Sequence, residues 1–302
     1  LVPALVSFLV VLLTPLVGCG AKTVAEFSGE PAWRYLVKQC DYGPRAPGTA
    51  AHDSTRSFII EHLRRRGASV SLQRFDVDDP YGDGVLALAN VVGSFYPDER
   101  RRFLVAAHYD TRPRADQEDD ERLRNQPIVG ANDGASGVAV LLEIADILSE
   151  HRPDRLGVDL VFFDGEDYGK SQDYRYYLLG SRHFAANLKG YRPLGAVVLD
   201  MVGARDARIG QEGNSLELAP DLTRRIFERA AELGLDVFES RKAGAVYDDH
   251  VPLLQAGIPA VDLIGQPYPH WHRLSDTPDK CSVDTLRAVG RLMVDFLFDF
   301  PD

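Results

Sequence analysis

Two hydrophobic periods alternate along the chain. Segments 51–67, 135–150, 180–188, 222–234 and 284–300 read as helices, with apolar residues recurring at helical spacing. The first sets Phe58, Ile59 and Leu63 on one face and stops at Gly67. Between the helices lie shorter apolar runs that read as strands, at 68–77, 86–95, 102–110, 157–167, 194–203 and 257–265. The run "GVDLVFF" is continuous rather than alternating, which suits a strand covered on both faces. From about Trp33 onward this alternation predicts an α/β layer fold. One polar stretch interrupts it. "RPRADQEDDERLRNQP", 112–127, reads as a solvated loop, lying where it can also shape a site at the strand ends.

No linker follows residue 30, so 33–302 is read as a single catalytic domain, preceded by a linker over 20–32. The first 19 residues differ in kind. "LVPALVSFLVVLLTPLVGCGAK" is apolar, uncharged and broken by Pro15. It is too short and too punctuated for a membrane span and reads as a secretory signal. Leu16-Val17-Gly18-Cys19 resembles a bacterial lipobox, which makes Cys19 a lipidation site. The expectation is an exported bacterial envelope lipoprotein, held to the membrane by a lipid anchor. In an oxidising compartment Cys40 and Cys281 could form one disulfide or remain two buried thiols. The formal net charge of −11 excludes a nucleic-acid partner, because phosphate binding needs a basic face.

The chemistry gathers at strand ends, where α/β sheets collect their ligands. One apolar run ends His108-Tyr109-Asp110, the next element opens "GANDGASG" with Asp133, another run ends Glu166-Asp167, and a fourth ends at Asp200. Later, "PYPHWHRLSDT" offers His270 and His272. Each is weak alone, and Asp133 could simply cap a helix. Together, nitrogen and oxygen donors without cysteine suit a catalytic zinc with an open coordination position. A carboxylate beside a ligand, itself unbound, is the natural proton carrier. Asp110, two residues after His108, is placed to orient that imidazole.

The motifs "AHYDTRP", "GANDGASG", "FFDGEDYG", "GSRHFA", "VVLDMVG", "YDDHVPLL" and "PHWH" occur in an order that resembles the M28 zinc peptidase superfamily, closest to its glutaminyl-peptide cyclotransferases. The resemblance implies a three-layer α/β sandwich with a mixed, mostly parallel central sheet flanked by helices. It also implies a metal site of Asp133, Asp167 and His272, with Glu166 as general acid and base. Asp167 stands where many relatives carry the longer Glu. His108 and Asp200 match the ligands of a second zinc in the aminopeptidases. In cyclases, which usually bind one zinc, Asp200 instead joins Glu166 and Asp248 in an acidic network. Trp271 matches the indole that walls the substrate side chain, while Asp262 stands where cyclases carry a histidine.

The expected function is zinc-dependent conversion of N-terminal Gln to pyroglutamate with ammonia release, by a monomer acting on peptides or proteins. The alternative is a zinc aminopeptidase using Glu166 to activate water. A non-catalytic binding module on the same fold is a second alternative, and its signature would be lost ligands. His183 is expected in helix packing or in a local hydrogen bond, and His250 as either structural or supporting the site.

Overall fold

The computed structural model describes residues 26–301 apart from 172. Segment 1–19, with Cys19, lies outside the described residues. The chain enters the fold earlier than a linker over 20–32 allows. Phe27 is buried, and helix α1 (Glu30–Asp41) is under way before Trp33. The backbone N–H groups of Ser28, Gly29 and Ala32 all donate to the Glu143 carboxylate of the helix packed beside them, which ties this entry to the core.

After α1 come α2 (Ala50–Arg65), the hairpin strands β1 (Ser69–Asp78) and β2 (Val85–Phe95), β3 (Arg102–His108), α3 (Ala135–Glu150) and β4 (Gly157–Phe163). The second half contains α4 (Leu179–Ala186), β5 (Ala196–Asp200), β6 (Ile209–Gln211), α5 (Gly213–Leu218), α6 (Pro220–Glu232), β7 (Phe238–Lys242), α7 (His250–Gln255), β8 (Ala260–Ile264) and α8 (Val283–Phe298). The central sheet runs β1-β2-β4-β3-β5-β8. β4, β3, β5 and β8 are mutually parallel, and the β1–β2 and β2–β4 pairs are antiparallel. Beside it, β6 and β7 form a small parallel pair.

Alternation along each strand builds two cores. Val105 and Ala107 of β3, with Leu160, Phe162, Val197 and Leu199, face α1, α3 and α8. Leu104 and Ala106, with Val161, Phe163 and Val198, face Phe184 of α4 and Leu253 of α7. The three-layer arrangement follows from this division. Because four adjacent strands are parallel, their carboxyl ends share one edge, and β3, β4 and β5 run out there at His108, Phe163 and Asp200.

Cys40 and Cys281 are free thiols, so no disulfide joins them. Among the described residues no helix is long and apolar enough to cross a membrane.

Candidate metal centre and active site

The turn into α3 is the tightest part of the site. Gly134 has φ +101°, and a Cβ there would lie 2.6 Å from the Asp110 carbonyl and 3.2 Å from the His108 ring. Only glycine permits this approach. The helix cap is Gly134, without a side-chain cap, so Asp133 does not serve as one. Its backbone is instead anchored by Asp276, whose carboxylate accepts the N–H groups of Asn132 (2.9 Å) and Asp133 (3.0 Å). Tyr268 donates its hydroxyl to the same carboxylate at 2.6 Å. Beneath the loop, buried Arg45 donates to the carbonyls of Tyr109, Val129 and Gly130.

The expected ligands converge. Asp133, Asp167 and His272, all buried, form one triplet whose donor atoms lie within 4.8 Å of one another. His272 Nε2 is 3.3 Å from Asp167 Oδ1 and 3.6 Å from Asp133 Oδ2. His108, Asp133 and Asp200 form a second triplet sharing Asp133, with His108 Nε2 3.3 Å from both carboxylates. Burial and the charge of Asp167 push Asp133 up to about 7. Burial opposes ionisation of Asp167 too, but His272 and Arg112 outweigh it and hold that carboxyl at about 2. The buried Asp167 Oδ2 has no hydrogen-bond partner. A free carboxylate oxygen beside a second carboxylate and an imidazole is the environment a zinc ion fits.

Glu166 is held apart from this triplet. Its backbone N–H donates to Asp110 Oδ1 at 3.0 Å, and that of Asp167 donates to Asp110 Oδ2 at 3.2 Å. Asp110 Oδ1 also lies 3.6 Å from His108 Nδ1. Burial raises Glu166 well above the ordinary carboxylic range; His108 opposes this, and Asp167 and Asp248 add to it. Asp248 is raised to about 6 by burial and by Asp200, and burial with Asp248 and Asp200 raises Asp262 well above its usual value. The charge of Asp248 thus acts on Glu166, and that of Asp200 on Asp248.

Trp271 stacks on His272 with ring centroids 3.8 Å apart and remains 42% exposed. His272 itself has φ +53°, left-handed backbone uncommon outside glycine. His270 engages Ser275 Oγ through Nδ1 at 2.8 Å and belongs to neither triplet. His183 stacks on Phe75 at 4.3 Å, a packing role. His250 is fully buried, with Nε2 3.0 Å from Glu212 and Nδ1 3.7 Å from Asp262.

Four contributors escaped the sequence reading: Arg45, Arg112, Asp116 and Asp276. The loop 112–127 is solvated only in part, because Arg112 is fully buried and pairs with Asp167 at 2.7 Å. An Arg directly after the "HYDT" strand end was the available signal, but nothing in it distinguished a buried guanidinium from a solvated one.

The family model for Peptidase family M28 matches residues 90–297. The chain belongs to peptidase family M28. Among solved structures, this M28 chain is similar to Bacteroides thetaiotaomicron glutaminyl cyclase bound to N-acetylhistamine, with 34% identity and a TM-score of 0.88. The match covers 92% of this chain and 100% of that one. A Zn-dependent exopeptidase from Parabacteroides distasonis matches at 32% identity and TM-score 0.88, over 91% of this chain and 99% of the other. Bos taurus glutaminyl-peptide cyclotransferase is 26% identical over 291 residues, 85% of this chain and 78% of the relative.

Proposed function

We propose that this M28 protein is a zinc-dependent glutaminyl-peptide cyclotransferase, acting as a monomer on peptides and proteins with an N-terminal Gln. The observation that carries the reading is the pairing of a buried, metal-competent triplet with a separate buried carboxylate, Glu166. Its likeness to glutaminyl cyclases over more than nine-tenths of the chain supports the same activity.

Asp133, Asp167 and His272 would hold one zinc. Asp167 keeps an unpartnered oxygen for it, and the second triplet, His108, Asp133 and Asp200, shares Asp133 with the first. When bound, the ion supplies Lewis-acid polarisation of the substrate γ-carbonyl.

The chain's own groups do the rest. The α-nitrogen of the N-terminal Gln forms a bond to the side-chain carboxamide carbon, Cδ, closing a five-membered ring as the Cδ–Nε bond breaks. Glu166 accepts the proton that the α-nitrogen sheds and returns it to the departing nitrogen, which leaves as ammonia. Burial raises the Glu166 carboxyl well above the ordinary carboxylic range, which favours its carrying a proton between the two nitrogens. The charge of Asp248 adds to that rise, and Asp248 is itself raised to about 6 by burial and by the charge of Asp200. Trp271, half exposed on the face of His272, walls the glutamine side chain. Asp110 fixes the backbone from which Glu166 projects.

The aminopeptidase reading uses the same Glu166 to activate water against a peptide bond. Ammonia release from a Gln-initiated peptide, lost on zinc removal and restored by added zinc, tests the cyclase reading. Zinc-dependent release of free glutamine contradicts it. We further propose export and lipid anchoring through Cys19, resting on the Leu16-Val17-Gly18-Cys19 stretch. Labelled fatty acid incorporated by the native protein, but not by Cys19→Ser, tests this.

A further inference from the structure

Asp167 reaches its position with a short arm, and the loop after β3 supplies what surrounds it. Arg112, fully buried, donates from Nη1 to Asp167 Oδ1 at 2.7 Å and to the Asp167 carbonyl at 3.3 Å. Its Nε donates to Asp116 Oδ1 at 2.9 Å, and its Nη2 donates to Asp116 Oδ2 and, at 2.8 Å, to the Tyr177 hydroxyl. Asp116 Oδ1 lies 3.5 Å from His272 Nδ1, and His272 Nε2 closes the circuit 3.3 Å from Asp167 Oδ1. Asp167, Arg112, Asp116 and His272 thus form a closed ring of alternating acidic and basic groups.

We propose that Arg112 and Asp116 are positioning residues of the metal centre, through which the loop sets the pose of two ligands it does not itself supply. The inference rests on reading Asp133, Asp167 and His272 as the cation site. Arg112 Nη1 occupies Asp167 Oδ1, and Oδ2 is left buried without a partner, so one oxygen is assigned to the protein and the other to the ion. A planar guanidinium does this where an ammonium would not, because it bonds Asp167 and Asp116 at once in a fixed geometry. Asp116 Oδ1 stands 3.5 Å from His272 Nδ1, which has no hydrogen-bond partner, and a carboxylate there favours the tautomer with hydrogen on Nδ1, leaving the Nε2 lone pair facing Asp133 and Asp167. Arg112 and Asp116 cancel in charge, so the ring adds no net charge to the ligand set.

The test is zinc affinity of the full chain, measured by competition with a chelating dye, for wild type, Asp116→Asn and Arg112→Lys. Asp116→Asn keeps the size but turns an NH2 toward the Arg112 guanidinium in place of an acceptor, so the thermal midpoint of its metal-free form is measured alongside to confirm that it folds. Loss of such supporting partners weakens metal binding roughly tenfold to a hundredfold, and that rise in zinc dissociation constant is expected for both variants. Cobalt substitution gives a second readout. The visible absorption of the cobalt protein shifts in Arg112→Lys, as Asp167 turns without the Nη1 donor. An unchanged dissociation constant in Asp116→Asn overturns the proposal even if Arg112→Lys fails to fold. A wild-type protein that binds no zinc overturns the metal-centre reading itself, and this inference with it.

Discussion

The Asp110 carboxylate holds the backbone of Glu166, accepting its N–H at 3.0 Å, and takes the N–H of Asp167 on its other oxygen at 3.2 Å. One buried side chain thereby sets the direction of a metal-competent carboxylate and of its proton-carrying neighbour. Asp110→Asn keeps the size but loses one acceptor. Misplacement of a catalytic group by about an ångström costs on the order of a hundredfold in rate. That fall in kcat is expected for Asp110→Asn with zinc content retained, as read by steady-state kinetics beside metal analysis.

Glu166→Gln separates the two roles directly. The amide cannot carry the proton, while the Asp133–Asp167–His272 triplet is untouched. Turnover falls by roughly a hundredfold to ten-thousandfold, the usual worth of a general acid or base, at unchanged zinc stoichiometry. Turnover within a few-fold of wild type would remove Glu166 as the proton carrier.

Glu212 gives a stability prediction with a defined pH sign. Its carboxylate accepts the N–H groups of Asn214, Ser215 and Val246 and lies 3.0 Å from His250. Burial opposes ionisation, but His250 and the N–H donors outweigh it and hold the carboxyl at about 2, below its ordinary 4.5. A depressed carboxylate pKa contributes stability that is present above the unfolded-state value and lost as pH falls toward the folded one. Denaturant unfolding of wild type therefore weakens between pH 4.5 and about 2. Glu212→Ala shows a shallower decline and a loss of roughly 2–3 kcal/mol at neutral pH, from orphaned buried donors.

Zinc bound only by the folded chain stabilises it, by roughly 4 kcal/mol when free zinc is about a thousand times its dissociation constant. Chelation should lower the thermal midpoint on the order of ten degrees, and added zinc should restore it. A midpoint indifferent to chelator, in protein shown to have held zinc, would contradict a buried ligand set.

What could be read from the sequence follows what is local. β3, α3, β4 and β5 announce themselves by periodicity, and their ends carried His108, Asp133, Glu166, Asp167 and Asp200 with them. β6, β7, α5 and α7 are only three to six residues long, too short for a period to show. The entry of Phe27 into the core was hidden because its partners, including Gly290 of α8, are distant in the chain. Arg112 lay in plain view within a charged stretch. Its burial depends on Asp167, 55 positions later, a pairing that leaves no local pattern. The Glu212–His250 contact was illegible for the same reason.

The most direct measurement is mass spectrometry of a single Gln-initiated peptide after incubation with the zinc-loaded protein. Cyclisation predicts an intact peptide lighter by one ammonia, its N-terminus blocked to sequencing, and no such product with Glu166→Gln. A shortened peptide together with free glutamine would contradict the cyclase account and identify the protein as an aminopeptidase.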